Sequence, residues 1–297
     1  MVLVFLFLAT ALVVGTTSDH YPSSGSLGED PVVAGMILKV SETEIYETTY
    51  CLQNFGTRSY SSARNIDAGT YLFNRFSNIS GLTVEYQGGD FRNIIATLPG
   101  VDVTSDKLYV VGAHYDSRCY ADPNNAPGAT DNAGGCAIVL EFARIMSQYR
   151  FNHTIKFACW NAEEDGVLGS SDYAKYASEN SLNIGLYVNF DSSCYDPRNE
   201  FVLDILYDQN SMWASDLMTL HNSIYCIGLT LTYNAQGCGS DHRAFWNYGY
   251  AAVMTREREY GPMHTEYDTV DKISTMFAKK NGQLGMSVLA KLAEHAP

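Results

Sequence analysis

Short apolar runs alternate along the chain with stretches of helical spacing. The runs 107–113 (KLYVVGA), 155–160 (IKFACW) and 186–190 (LYVNF) are rich in Val, Ile, Tyr and Phe, as buried strands are. Val139, Phe142, Ala143 and Met146 recur at i, i+3, i+4 and i+7, which predicts one face of a helix starting near Asp131. This alternation predicts an α/β fold whose central sheet is covered on both faces. Further strands are predicted over 82–86, 93–98, 201–207, 229–233 and 251–255, with 93–98 pairing with 107–113 through a turn at Pro99 and Gly100. Helices are predicted over 41–55, opened by the S-x-x-E capping box of Ser41 and Glu44, and over 66–76, 211–222, 240–248 and 275–295.

With 297 residues and 46% apolar content, the chain can bury a full core as one domain or two. No repeat, Pro-rich linker or composition shift divides it after Ala34, so one domain over 31–297 is expected. The segment 2–14 is almost wholly apolar and is followed by Gly15, Thr16, Thr17 and Ser18. It reads as a signal peptide over 1–18, too short to span a bilayer comfortably, with a flexible leader over 19–30. A secreted or periplasmic location is therefore expected, as a monomer with no stable membrane association once the signal is cleaved.

Seven cysteines in an exported chain leave at least one thiol unpaired. Cys136 and Cys159 read as buried thiols, while Cys119 with Cys194 and Cys226 with Cys238 are candidate disulfides. Asn78 and Asn152 lie in N-x-S/T sequons. The net charge of −14 argues against nucleic-acid binding, which needs basic patches, and gives a weak attraction for cationic N-terminal amines.

The chemistry gathers where the strands end. His114, the pair Glu163 and Glu164, and Asp191 each follow a separate predicted strand, the edge of an open α/β sheet where ligands bind. Imidazole and carboxylate donors both suit zinc, and carboxylates can bridge two ions about 3.5 to 4 Å apart. Asp131, Glu164 and Asp191 with His114 and His264 would offset the charge of two such ions. Glu163 is then free as a general base, since neighbours on an extended backbone point opposite ways. Asp116, two residues after His114, is placed to accept the other imidazole N–H and fix its tautomer. His20, His153, His221 and His295 have no comparable setting; His242 stands apart only for its place in the SDH triplet.

In this order the strings VVGAHYDS (110–117), GATDNAGG (128–135), NAEEDGVLGSSDYA (161–174), NFD (189–191), SDH (240–242) and HTEYDT (264–269) closely resemble secreted M28-type zinc aminopeptidases. The resemblance runs from about Ala34 to the C-terminus. It implies a three-layer α/β/α domain with a central mixed, mostly parallel twisted sheet. It further implies two zinc ions held by His114, Asp131, Glu164, Asp191 and His264, bridged by Asp131, with Glu163 activating the attacking water. A cis peptide between Asp131 and Asn132 is also implied. The chain departs from the family at Met263 and Gly237, where some members place a tyrosine that stabilises the oxyanion. Tyr260 is the remaining candidate. Only Cys238 precedes SDH, so the short disulfide loop of certain members cannot close here.

The expected activity is release of N-terminal residues from peptides with a free N-terminus. The alternatives are a single-zinc glutaminyl-peptide cyclotransferase, a dipeptidase or carboxypeptidase of the same family, and a non-catalytic binding scaffold. Cyclotransferases tend to carry Trp where this chain has Met263, and the G-V-L-G-S continuation after the glutamate pair is peptidase-like.

Overall fold

The computed structural model describes residues 28–235 and 237–296. The expected signal peptide and most of the leader lie outside the described residues. Within them, one sheet contains β1 (Thr83–Gln87), β2 (Asn93–Leu98), β3 (Lys107–His114), β4 (Thr154–Trp160), β5 (Asn183–Phe190), β6 (Val202–Tyr207), β7 (Thr230–Ala235) and β8 (Ala252–Glu257). Their spatial order is β1-β2-β4-β3-β5-β8-β6-β7. The strands β4, β3, β5 and β8 run parallel at the centre, while β1, β2 and β6 make the antiparallel pairings.

The helices are α1 (Pro31–Ile37), α2 (Glu42–Gln53), α3 (Ala63–Ser77), α4 (Gly134–Met146), α5 (Leu168–Glu179), α6 (Met212–Ile224), α7 (Asp241–Asn247) and α8 (Thr275–Ala293). On one face of the sheet α1, α2, α3, α4, α6 and α8 pack into the larger apolar core, with Phe142, Phe157, Val188 and Phe190 at its centre. On the other, α5 and α7 cover an aromatic cluster of Trp160, Tyr173, Tyr187 and Phe245. The expected three-layer α/β/α architecture is therefore present.

Three expectations are corrected. The strand at 93–98 does not form a hairpin with 107–113; it pairs antiparallel with β4, Leu98 opposite Ile155. Buried at every position after Lys107, β3 instead takes parallel neighbours on both sides, as a strand covered on both faces does. The connection crosses the start of β4 to get there. Gly100 permits this, because a Cβ at that position would lie 2.4 Å from the carbonyl oxygen of Asn152. The crossing is pinned by Gly100 N–H donating to Thr154 Oγ1 (3.2 Å) and Val101 N–H to the Phe151 carbonyl (2.8 Å).

Second, α4 begins at Gly134 and not near Asp131. Asp131 and Asn132 have non-helical backbone angles, and the helix is buried all round instead of presenting one stripe. Third, all seven cysteines are free. Cys194 is buried against the carbonyls of Ala129 and Thr130, Cys119 turns toward Glu266, Cys226 toward the Ser223 carbonyl and Cys238 toward Arg256.

Half of the capping box holds. Ser41 Oγ accepts from Glu44 N–H at 3.2 Å, but Ser41 N–H donates to the buried Glu141 of α4 at 2.8 Å, not to Glu44. The start of α2 is thereby tied to α4. Two further helices are present that the periodicity did not predict: α1, capped by Asp30 and opened by Pro31, and α5. In α5 the buried positions are Gly169, Ser170, Tyr173, Ala174 and Ala177, small residues around a single Tyr, which hydrophobic periodicity does not register.

His221 on α6 is buried, with Nδ1 3.0 Å from Ser287 Oγ, and burial together with Lys291 lowers its pKa from the usual 6.5 to about 4. The unfolded chain takes up this proton first, so the stabilising contribution is complete above about pH 6.5 and is lost as pH falls toward 4. From this group, wild-type unfolding free energy in urea is expected to fall by roughly 2 kcal/mol between pH 7 and pH 5. A His221→Gln variant should lack that component. Identical pH dependence in the two proteins would exclude it.

Candidate metal centre

β4, β3 and β5 lie side by side, and the chain leaves β3 toward a neighbour on either hand. Ligands bind open α/β sheets at such a switch point, beyond the C-terminal strand ends. His114 ends β3, Glu163 and Glu164 follow β4, and Asp191 follows β5. Asp131 comes from the turn before α4, and His264 from the loop after β8. Ala162 and His264 both adopt left-handed backbone conformations, with φ of 57° and 60°. Such angles are uncommon for side-chain-bearing residues and cluster where a site demands them. The Asp131 to Asn132 peptide is cis.

The predicted ligands form two donor groups that share one residue: His114, Asp131 and Asp191, then Asp131, Glu164 and His264. His114 Nε2 lies 3.2 Å from Asp131 Oδ1 and 3.5 Å from Asp191 Oδ1. His264 Nε2 lies 3.0 Å from Asp131 Oδ2 and 3.1 Å from Glu164 Oε2. Asp131 thus offers one oxygen to each group. Zinc bonds of about 2.0 to 2.2 Å in a tetrahedral site give donor-to-donor edges of roughly 3.3 to 3.6 Å. The observed spacings lie at or just below that range. His114 Nε2 and Glu164 Oε1 are also buried without a hydrogen bond, as donors reserved for a cation would be.

The charges explain how this set is poised. Asp131 and Glu164 beside His264 raise its pKa to about 11, against the opposing effect of burial. Burial lowers that of His114, but Asp191, Asp116 and Asp131 outweigh it and hold it well above the usual value. Burial, then the nearby Asp131, pushes Glu164 up to about 7, while Glu163 is raised by burial against the pull of His114. A divalent ion would replace the protons that hold these carboxylates and imidazoles together.

Asp116 does more than the sequence suggested. It meets His114 Nδ1 twice, through its backbone carbonyl at 3.3 Å and its carboxylate Oδ1 at 3.4 Å. Oδ1 also accepts from Glu163 N–H at 3.1 Å, and Oδ2 accepts from Glu164 N–H at 3.0 Å. One buried residue therefore sets both the imidazole and the backbone of the glutamate pair.

Several residues of the site were not singled out in the sequence. Asp268, in the HTEYDT string, accepts from the N–H groups of Thr130 (2.8 Å) and Asp131 (3.1 Å). Glu257 does the same for Cys194 (3.1 Å) and Tyr195 (2.8 Å), just after Asp191. Arg58, fully buried, donates to the carbonyls of Tyr115, Pro127 and Gly128 and so fixes the segment between His114 and Asp131. No motif marks Arg58, because it acts entirely through backbone oxygens. Ser240 of SDH donates to Asp191 Oδ2 at 2.5 Å and accepts from Asn189 Nδ2 at 2.9 Å. His242 belongs to neither donor group; it packs edge-on against Trp246, and burial lowers its pKa to about 3. Tyr260, the oxyanion candidate, packs its ring beneath the Arg256 guanidinium.

Residues 93–289 match the family model described as Peptidase family M28. The chain belongs to that family. As an M28 peptidase with this donor set it is a metallopeptidase. It is 25% identical over 308 residues to a probable leucine aminopeptidase of Trichophyton verrucosum, covering 96% of this chain and 81% of that protein. It is also similar to the solved structure of BSAP, a zinc aminopeptidase from Bacillus subtilis. That match has 26% identity and a TM-score of 0.60, covering 68% of this chain and 50% of that one. Glutaminyl cyclase from Porphyromonas gingivalis shares the fold at 19% identity and a TM-score of 0.71, covering 85% of this chain and 99% of that one.

Replacing Asp116 by Asn would turn one of its two acceptors into a donor facing an N–H. An Asp116→Asn variant of this M28 peptidase is expected to lose about 10- to 100-fold in metal affinity or kcat/KM, as changes behind a ligand typically do. Metal titration and kinetics that match wild type would show that Asp116 has no such role.

Proposed function

We propose that the chain is an exported dizinc aminopeptidase that releases N-terminal residues from peptides. The observation that carries this reading is Asp131, whose two oxygens face two separate histidines, each with a further carboxylate. Two histidines and three carboxylates fit two zinc ions, with His114, Asp131 and Asp191 holding one and Asp131, Glu164 and His264 the other. When bound, zinc lowers the pKa of water and polarises a carbonyl.

The protein residues perform the remaining steps. Glu163, absent from both donor groups and held by Asp116 through its backbone, takes the proton of the attacking water and returns it to the leaving amine. Asp116 keeps the His114 proton on Nδ1, leaving Nε2 as the donor atom. The substrate's free amine docks beside the site carboxylates Asp131, Glu164 and Asp191. The apolar run at 2–14 supports export.

Glu163→Gln is expected to bind two zinc ions per chain while losing about 100- to 10,000-fold in turnover of aminoacyl reporters. Glu164→Gln should instead lower zinc occupancy, read by elemental analysis. Retained turnover in the first variant removes Glu163 as base, and unchanged zinc in the second reverses the two glutamates. One zinc per chain with cyclisation of N-terminal glutamine, and no release of amino acids, would establish the cyclotransferase instead.

A further inference from the structure

Arg256 is half-buried near this centre, and among the described residues no carboxylate oxygen lies within 4.0 Å of its guanidinium. The parallel register of β5 and β8 sets Phe190 beside Thr255, and Asp191 N–H reaches the Thr255 carbonyl. Asp191 follows Phe190 just past the end of β5, and Arg256 follows Thr255 within β8, so both stand at this edge of the sheet. Ser240 contacts Asp191 there. Thr255 and Glu257 alternate to the other side and are buried.

The partners that Arg256 does have leave its charge unmatched. Its Nε donates to the Glu257 carbonyl (3.2 Å), Nη1 meets Cys238 Sγ (3.0 Å), and the guanidinium lies 4.6 Å from the centroid of Tyr260. Asp204 stands opposite it on β6 yet accepts from the Thr232 hydroxyl instead. Arg118 and Arg198, by contrast, are paired with carboxylates: Arg118 with Glu164 and Asp165, Arg198 with Glu200 and Glu259. In a chain with 33 acidic and 19 basic residues, carboxylates are plentiful, yet among the described residues none lies within 4.0 Å of the Arg256 guanidinium, and Asp204 opposite it is turned to Thr232.

We propose that Arg256, with Tyr260 and Cys238, recognises an acidic side chain on the first residue of the substrate, Glu or Asp. The inference rests on the aminopeptidase reading, in which the substrate's first residue docks beside Asp191. Planar guanidinium is suited to a carboxylate, and the apposed Tyr260 ring holds it in place while shielding one side from water.

The test compares glutamyl, glutaminyl and leucyl reporter substrates on the zinc-loaded enzyme, wild type and Arg256→Gln, with Arg256→Lys as the charge-retaining control. Wild type should favour glutamyl over glutaminyl by about tenfold or more in kcat/KM, a ratio that collapses in Arg256→Gln and survives in part in Arg256→Lys. Calorimetry on the same proteins should show L-glutamate binding about tenfold tighter than L-glutamine, again only with the charge in place. An unchanged glutamyl-to-glutaminyl ratio in Arg256→Gln overturns the proposal. So does a loss confined to peptides with a free C-terminal carboxylate, which would put Arg256 at the far end of the substrate. If no reporter releases a residue, the aminopeptidase reading fails, and the calorimetric contrast alone decides what Arg256 binds.

Discussion

The mutual repulsion of carboxylates packed at one edge of the sheet is the constraint around which this site is organised. Asp116, Asp131, Asp191, Asp241, Glu257 and Asp268 are all buried there, with Glu163 and Glu164 half-buried beside them. Two such charges 4 Å apart repel by about 4 kcal/mol even at an effective dielectric of 20. Full ionisation without compensation would not be compatible with a folded domain of ordinary stability. Three kinds of group offset it: backbone N–H donors, the buried Arg58 and His114 with the half-buried His264, and the raised proton affinity of Glu163, Glu164 and Asp241. Divalent ions would replace the protons, which is why the fold and the metal chemistry are one problem here.

The backbone donors are used in a repeated way. Asp116 takes the N–H groups of 163 and 164, Asp268 those of 130 and 131, and Glu257 those of 194 and 195. Successive amides form a small concave donor pair well matched to a carboxylate. In each case the segment gripped contains or lies close to a candidate metal donor, so an acidic residue outside both donor groups still fixes where the donor stands. Arg58 is the inverse, one guanidinium gripping the carbonyls on both sides of the loop between His114 and Asp131. Its own burial lowers its pKa, and Asp268, Asp116 and Asp131 nearby act against that.

How much of this the sequence disclosed depends on what kind of signal each part leaves. Strands with continuous apolar runs, such as 107–113 and 155–160, were legible, and so was the convergence of residues placed after them. Pairing was not: nothing local at Pro99 and Gly100 tells whether the chain turns back or crosses β4, because the decision lies in the burial of β3 on both faces. The small residues of α5 were silent for want of apolar bulk. Cysteine spacing misled, since Cys119 and Cys194 follow neighbouring elements yet point to different surroundings. Donor residues were recognisable because their chemistry demands particular side chains. Arg58 and Glu257 were not, because any segment can supply the backbone groups they hold.

The two donor groups are unequal in how rigidly they are held. Asp191 ends a one-way hydrogen-bond chain that starts in the aromatic core: Trp160 Nε1 donates to Tyr187 OH (2.7 Å), which donates to Asn189 Oδ1 (2.9 Å). Asn189 Nδ2 donates to Ser240 Oγ, which donates to Asp191. Indole can only donate and an ionised carboxylate can only accept, so both ends fix the direction of the chain. His114 on the same side is 1% exposed, whereas His264 is 25% exposed and meets the rim residue Tyr120 edge-on. The group containing His114 and Asp191 is thus closed and braced by the sheet, and the group containing His264 opens toward solvent from a loop. A catalytic centre needs an accessible position as well as a rigid frame. By sharing Asp131, this fold gives the open group the rigidity of the closed one.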